Sequence, residues 1–283
     1  MRKIAVLSGK GGVGKTFVSA NLAAGRPNAV YVDCDVEEPN GALFLHPTDT
    51  KESPVYTTVP KFNLDTCIGC RKCADFCQFH ALAFLKGKPL LFPEICHACG
   101  GCGLVCPVHA VQEEKKEIGV LQVGKRGGLS VVTGKMHLGE ASGTKIIAKA
   151  IKQGEALAKQ QNGTLWIDCP PGSACTVMES MAPADFCIIV AEPTAFGFHN
   201  FKMVHELTKV LKKPCGVIIN KAEEPYTPLE TYCAKEAVPI FARIPFSREI
   251  ATLCASGKLA VLEDETAKQL FDNVQEQLQE VTR

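Results

Sequence analysis

The chain has 283 residues, of which 46% are hydrophobic and 22% charged, and its formal net charge is +1. This composition supports one large domain, or one domain that carries a smaller insert. The small net charge gives no general attraction to nucleic acid or to an anionic membrane. Because the sequence has no run of about 18 apolar residues, we expect no membrane insertion.

The fifteen cysteines of the chain favour metal binding over disulfides. The first apolar run, residues 4–7, ends at Ser8 and is too short for a secretion signal. Thiols stay reduced in the cytoplasm, where closely spaced cysteines bind metals. We therefore expect a cytoplasmic protein in which some cysteines are metal ligands.

The predicted elements alternate between strands and helices along most of the chain. From the amino end they are a strand at 4–7, a helix at about 14–24 and a strand at 29–32. Later strands are predicted at 119–123, 129–133, 165–167, 186–191, 215–219 and 239–244, with helices such as 145–160, 198–211 and 267–281 between or after them. This alternation predicts βαβ units, and so an α/β fold whose mainly parallel sheet carries helices on both faces.

Residues 55–116 interrupt this alternation with a cysteine-rich repeat. The spacing of Cys67, Cys70, Cys73 and Cys77 recurs 29 positions later in Cys96, Cys99, Cys102 and Cys106. Because the α/β pattern resumes afterwards, we predict a discontinuous domain over 1–54 and 117–283, with a small inserted module over 55–116.

A phosphate-binding loop is predicted at residues 9–16, Gly-Lys-Gly-Gly-Val-Gly-Lys-Thr. The segment fits the pattern G-x-x-x-x-G-K-[ST], follows a strand and begins a helix. Lys15 is expected to bridge the β- and γ-phosphates of ATP, and the Thr16 hydroxyl to bind Mg²⁺. The helix N-terminus attracts anions, and the backbone around the phosphates is that of Gly11, Gly12, Val13 and Gly14.

Aspartates follow two of the predicted strands. Asp33 and Asp35 end the segment Val-Tyr-Val-Asp-Cys-Asp, and Asp168 ends Leu-Trp-Ile-Asp. Ligands bind at the carboxyl ends of parallel strands, and Asp168 fits the Walker B role of holding Mg²⁺ through water. Each aspartate taken alone is also compatible with a turn or a helix cap.

Lys10 adds a second lysine to the loop, and the sequence Lys-Gly-Gly-Val-Gly-Lys-Thr resembles the MinD/Mrp/nitrogenase-iron-protein group of P-loop ATPases with a deviant Walker A motif. The resemblance implies pairing on ATP binding, with a second copy or a related subunit, in which Lys10 reaches the partner's nucleotide. It also implies that Asp35 orients the attacking water, that Asp33 lies behind the Mg²⁺ ligands, and that Asn220 contacts adenine.

The cysteine spacing C-x₂-C-x₂-C-x₃-C, present twice, is that of bacterial ferredoxins with two [4Fe–4S] clusters. In this arrangement the fourth cysteine of each run binds the other cluster. Cys67, Cys70, Cys73 and Cys106 are thus expected to hold one cluster, and Cys96, Cys99, Cys102 and Cys77 the other. Zinc sites, the alternative, do not explain the x₃ spacing. Cys175 matches a bridging-cluster cysteine of the nitrogenase iron protein, but its second cysteine has no counterpart here.

The insert follows Asp35 by about twenty residues, in a part of the chain that nucleotide binding moves in P-loop enzymes. The leading hypothesis is an ATPase whose nucleotide cycle gates electron transfer from two [4Fe–4S] clusters to a redox protein partner. One alternative is an assembly or carrier ATPase for iron–sulfur or other metal cofactors. Another is a positioning ATPase that senses redox state through its clusters.

Overall fold

The computed structural model describes residues 1–281 and contains one large sheet and one small hairpin. The strands are β1 (Lys3–Leu7), β2 (Val30–Asp33), β3 (Thr48–Phe62), β4 (Leu82–Leu85), β5 (Lys88–Leu91), β6 (Val111–Arg126), β7 (Leu129–Met136), β8 (Leu165–Asp168), β9 (Phe186–Ala191), β10 (Cys215–Asn220) and β11 (Ile240–Ile244). The helices are α1 (Lys15–Ala24), α2 (Gly41–Leu45), α3 (Lys72–Phe76), α4 (Gly101–Leu104), α5 (Thr144–Gln161), α6 (Cys175–Met181), α7 (Ala195–Val210), α8 (Thr227–Lys235), α9 (Arg248–Ala255), α10 (Ala260–Glu263) and α11 (Glu265–Val281).

The large sheet has the strand order β11-β10-β9-β1-β8-β2-β7-β6-β3. Its pairs from β11 to β7 are parallel, and β7–β6 and β6–β3 are antiparallel. Alternate strand residues face opposite cores: Ala5 and Val32 lie with α5, α6, α7 and α8, whereas Val6 and Tyr31 lie with α1, α10 and α11. Burial on both faces is why these strands are nearly continuous apolar runs. The predicted α/β fold is confirmed.

The antiparallel edge of the sheet differs from the prediction, which assigned only residues 119–123 to a strand. Strand β3 pairs with β6 along almost its whole length, from Thr48 to Phe62. We call the paired strands β3 and β6 the ribbon. Its charged residues at 113–117 and its prolines at 54 and 60 do not look like strand residues in the sequence, although an edge strand tolerates both. The predicted module boundaries, 55 and 116, lie inside these strands, and the segment outside the large sheet is 63–110.

The ribbon carries residues 63–110 beyond the carboxyl ends of the parallel strands, where the predicted phosphate-binding loop lies. Strand β7 ends opposite Gly119, and seven further residue pairs, from Tyr56–Glu117 to Phe62–Val111, lie beyond it. At about 3.3 Å per residue, these pairs extend the ribbon by ~23 Å. The cysteine-rich segment therefore stands on the same side of the sheet as the carboxyl ends of β1, β2 and β8.

Within residues 63–110 the backbone repeats as the cysteine spacing does. The segment holds α3, the hairpin of β4 and β5, and α4. Left-handed backbone conformations occur in three pairs, each separated by the 29 residues of the sequence repeat: Gly69 and Ala98, Arg71 and Gly100, His80 and His109. Each run of cysteines thus follows the same path, as a duplicated ferredoxin-like α+β module requires.

Candidate nucleotide and cluster sites

The predicted phosphate-binding loop joins β1 to α1 and closes against the end of β10. Gly14 has φ 93°, and a Cβ atom there would collide with the Asn220 amide nitrogen, so both the conformation and the space require glycine. The Asn220 amide nitrogen donates to the Val13 carbonyl at 2.8 Å. Asn220, which we expected to contact adenine, is thus buried against the loop in this structure.

Asp168 brings the predicted phosphate and Mg²⁺ residues together on one carboxylate. The Lys15 ammonium donates to its Oδ1 at 2.7 Å, and the Thr16 hydroxyl donates to its Oδ2 at 2.8 Å. A third donor, the Tyr31 hydroxyl, lies 2.9 Å from the same Oδ2 and was not predicted. Burial alone would lower the pKa of Lys15, but Asp168 and the two aspartates after β2 together raise it, so the lysine remains charged.

The two aspartates after β2 have different surroundings. Asp33 is fully buried and accepts backbone N–H groups, from Gly41 at 2.8 Å and from Asp35 at 3.1 Å. Burial, together with the charge of Asp168, raises its pKa to about 7. Asp35 is partly exposed, its Oδ2 lies 3.9 Å from Lys15 Nζ, and burial raises its pKa to about 6. Asp33 therefore fixes the backbone of residues 35–41, whereas Asp35 faces the loop lysine.

An open cavity of about 870 Å³ adjoins the loop, within the size range of small-molecule sites. Its walls include the loop itself, Asp35, Asn220 and the segment Pro245–Ser247. The far wall comes from Phe44 and from Ile250 and Cys254 of α9, which the sequence patterns did not single out. The cavity thus offers a charged end for phosphates and a partly apolar end for a base.

Lys10 is bound within its own chain in this structure. Its ammonium lies 2.5 Å from Glu192 Oε2 and 5.5 Å from the centre of the Phe196 ring. The other Glu192 oxygen accepts from Lys221 at 2.7 Å, and Lys221 also donates to the Gly12 carbonyl at 2.8 Å. Although burial opposes it, the two lysines lower the pKa of Glu192. Glu192 and Lys221 were missed because no local motif marks them.

The eight cysteines of the repeat line two separate cavities in the crossed arrangement predicted for ferredoxins. Cys67, Cys70, Cys73 and Cys106 line one, which we call quartet I. Cys77, Cys96, Cys99 and Cys102 line the other, quartet II. Each cavity offers four thiols, the ligand set of a [4Fe–4S] cluster. Within residues 1–281, no three His, Cys, Asp or Glu side chains are close enough to hold a single metal ion. Cys175 begins α6, is exposed and lines neither cavity.

A chain of contacts connects the backbone after β2 to quartet II. Val36, next to Asp35, accepts a hydrogen bond from the Met136 N–H at 2.8 Å. The loop after Met136 contains Glu140, which pairs with Lys116 at 2.9 Å. Lys116 also donates to the Pro93 carbonyl at 3.2 Å, three residues before Cys96. These contacts join the backbone after β2 to the cysteine loop through the β7–α5 loop.

The fold and the loop define a P-loop nucleotide-binding protein with the α/β fold of the MinD/ParA ATPases. Residues 4–261 match the family described as CobQ/CobB/MinD/ParA nucleotide binding domain, and the chain belongs to that family. Two relatives come from Methanocaldococcus jannaschii. Uncharacterized protein MJ0578 is 32% identical over 283 residues, 97% of this chain and 96% of the relative. Uncharacterized protein MJ0579 is 29% identical over 231 residues, 78% and 80% of the two chains.

Solved structures agree on the fold. The cell division ATPase MinD of Pyrococcus furiosus superposes with a TM-score of 0.60 at 19% identity, covering 99% of both chains. The septum site-determining protein MinD of Pyrococcus horikoshii, complexed with Mg-ADP, gives 0.60 at 21% identity and covers 98% of this chain and 95% of its own. No helix within residues 1–281 is long and apolar enough to cross a membrane.

A separate, shorter similarity concerns ferredoxins. The ferredoxin-type protein NapF of Escherichia coli K12 is 38% identical over 52 residues, which is 17% of this chain and 32% of NapF. The chain is therefore a MinD/ParA-type family member with a limited ferredoxin-like similarity.

Proposed function

We propose that this chain hydrolyses ATP and that its nucleotide cycle gates electron transfer from two [4Fe–4S] clusters to a protein partner. The observation that carries the proposal is the contact chain from Val36 through Met136, Glu140 and Lys116 to Pro93. It joins the segment after Asp35, which faces the loop lysine, to the backbone beside quartet II.

The ATPase half of the proposal assigns roles to four residues around the loop. Lys15 exchanges Asp168 for the β- and γ-phosphates when nucleotide binds, because a triphosphate offers it more negative charge. Thr16 and Asp168 would then hold Mg²⁺, which would supply positive charge beside the phosphates. Asp35 is partly exposed beside Lys15 and, in its ionised carboxylate form, orients the attacking water.

Lys10 requires a partner subunit in this proposal. Leaving Glu192 costs Lys10 an ion pair, and the phosphates of a nucleotide across the interface replace it with a stronger one. The partner is a second copy of the chain or a related subunit. Pairing on ATP binding would bring two cluster modules to one interface, because both ribbons extend past the edge of the sheet where the loops open.

The redox half of the proposal rests on the two cysteine quartets. Each set of four soft thiolates fits one [4Fe–4S] cluster, which supplies one-electron chemistry. Quartet II lies against the ATPase domain, since residues 93, 96–98, 116, 140–142, 144 and 145 line a common cavity. Quartet I lies further along the ribbon. We therefore assign nucleotide control to quartet II and contact with the redox partner to quartet I.

The surface over quartet I suits an acidic electron carrier. All four lysines and arginines of residues 63–110 lie between positions 71 and 88, against two carboxylates nearby, Asp65 and Asp75. Arg71 stacks over Phe84 at 5.5 Å. We define the basic surface by its exposed residues: Ile68, Arg71, Lys72, Leu85 and Lys86. A small apolar centre with a charged rim is typical of protein interfaces, and the excess of cations selects an acidic partner.

The test measures electron transfer from the anaerobically prepared, cluster-loaded protein to acceptor proteins with MgATP, with MgADP and without nucleotide. Different rates in the three states support the proposal, and equal rates contradict it. An assembly or carrier ATPase would instead pass its cluster to an apo-protein, which four thiolates per cluster disfavour. A redox-sensing positioning ATPase would change its pairing, not its electron-transfer rate, with nucleotide.

A further inference from the structure

The phenol of Tyr31 lies in the core on one face of the sheet, next to the predicted nucleotide site. The residue lies in β2, its side chain is fully buried, and its hydroxyl donates to Asp168 Oδ2 at 2.9 Å. Neighbouring strand positions on this face hold apolar side chains such as Val6, Trp166 and Ile188. A phenol is costly there unless its hydroxyl is bonded, and it is bonded to the carboxylate expected to hold Mg²⁺.

The tyrosine ring is held in place by its surroundings. Gly41 packs against it so closely that a Cβ atom at that position would collide with the ring. The Gly41 N–H in turn donates to Asp33 at 2.8 Å. The ring thus has little freedom to rotate away from Asp168. Its position depends on the backbone at Gly41, six residues after Asp35.

The hydrogen bonds divide the two oxygens of Asp168. Oδ2 accepts two hydroxyl donors, Tyr31 and Thr16, while Oδ1 accepts, among residues 1–281, only the Lys15 ammonium. When Lys15 turns to the phosphates, Oδ1 loses its partner and Oδ2 keeps Tyr31. The retained hydrogen bond prevents the carboxylate from rotating and leaves Oδ1 directed at the loop.

We propose that Tyr31 is a positioning residue that fixes the Asp168 carboxylate for Mg²⁺ once Lys15 has moved to the nucleotide. The inference rests on the ATPase half of the proposed function. The phenol is fully buried and its hydroxyl donates to Asp168, so the hydrogen bond is held within the core of the domain.

The experiment compares the full-length, cluster-loaded protein with Tyr31→Phe, which keeps the ring and removes only the hydroxyl. Because a hydrogen bond to a charged group contributes substantial free energy, we expect the ADP complex of Tyr31→Phe to bind Mg²⁺ about tenfold more weakly than that of wild type. Mn²⁺ in place of Mg²⁺, titrated by EPR, measures this affinity without turnover. The affinity for metal-free ADP should not change, which separates positioning from a general loss of structure.

Ser19→Ala is the matched control, because the Ser19 hydroxyl lies 3.5 Å from the Tyr31 hydroxyl and no bond joins it to Asp168. It should leave Mn²⁺ affinity unchanged. Tyr31→Met, which is apolar and lacks the hydroxyl, provides a second variant should Tyr31→Phe fold poorly, with the same expected weakening. Wild-type Mn²⁺ affinity in a folded Tyr31 variant would overturn the inference and leave the ATPase assignment intact. A wild-type ADP complex that binds neither Mn²⁺ nor Mg²⁺ would overturn both.

Discussion

Lys116 and Glu140 form an ion pair between the ribbon and the β7–α5 loop, with 2.9 Å between Nζ and Oε2. The pair is partly buried, so water screens it less than a surface pair. Because Lys116 also binds the Pro93 carbonyl, one side chain joins the β7–α5 loop to the segment that leads into quartet II.

Lys116→Met should uncouple the nucleotide from quartet II. We expect the MgATP-dependent change in the EPR signal or potential of that cluster to fall by at least about half, since the connecting contacts carry differential free energy between the two states. ATP hydrolysis and iron content should stay near wild type. Lys61→Met is the control, since its pair with Glu114 lies on the same ribbon with both side chains largely exposed. An unchanged nucleotide response in Lys116→Met would exclude this route.

Removing one ligand from each quartet should show that the cysteine runs are crossed. Cys106→Ser and Cys70→Ser are expected to perturb the same cluster, although 36 positions separate them, because both line quartet I. Each should lower the iron content by about half or change one EPR signal only. Cys99→Ser should affect the other signal, and Cys175→Ser neither. If Cys106→Ser matched Cys99→Ser instead, the assignment by cavities would be wrong.

Glu192→Gln should release Lys10 for pairing between subunits. The substitution removes the charge that holds the ammonium at 2.5 Å, so we expect ATP-dependent pairing at a several-fold lower protein concentration, measured by sedimentation with a non-hydrolysable ATP analogue. Lys10→Ala should abolish hydrolysis while retaining nucleotide binding. Lys221→Met provides the control, because it removes the other ion pair of Glu192 and leaves Lys10 bound. Pairing that is equal in wild type and Glu192→Gln would argue against a retaining role.

Reversing charge on the basic surface should slow electron transfer from the reduced clusters to an acidic acceptor protein. For Arg71→Glu combined with Lys86→Glu we expect about a tenfold lower association rate and a weaker dependence on salt, because electrostatic steering is lost. Reduction by dithionite, which needs no docking, should be unaffected. Lys51→Glu combined with Lys125→Glu, two exposed positions on the ribbon outside residues 63–110, is the charge-matched control. If the basic-surface variant transferred electrons as fast as the control variant, the docking site would lie elsewhere. The proposal of nucleotide gating would still stand.

The nucleotide-free protein should become less stable as the pH rises from about 5.5 to 8. The pKa of Asp33 is raised from 3.8 to about 7 and that of Asp35 from 3.8 to about 6, so in this window the folded state holds more protons than the unfolded state. The free energy of unfolding therefore decreases with pH. Urea unfolding followed by the fluorescence of the single tryptophan, Trp166, measures the slope.

Asp33→Asn should flatten this dependence, because the group with the larger shift no longer titrates. Asp75→Asn, which replaces an exposed carboxylate in the cysteine module, should leave it as in wild type. A wild-type stability that increases over this pH range would contradict the electrostatic description of the site.

The parts of the site that lie within short segments were predictable from the sequence. The loop at 9–16, the aspartates after β2 and β8, and the spacing of the cysteines each carry their information in adjacent residues. The structure brings Lys15, Thr16 and Asp168 together because parallel strands end at a common edge. The ribbon was missed because its charged and proline-containing strands lack a clear apolar alternation.

The sequence by itself determined the family, the α/β alternation and which residues bear phosphate-binding, carboxylate and thiol chemistry, because these depend on local pattern and spacing. Only the tertiary structure decided that Glu192 holds Lys10, that Tyr31 holds Asp168 and that Lys116 joins the two modules. These contacts link residues 24 to 182 positions apart, and no local rule specifies such pairs. They follow from the sheet order and from the direction in which the ribbon leaves the sheet.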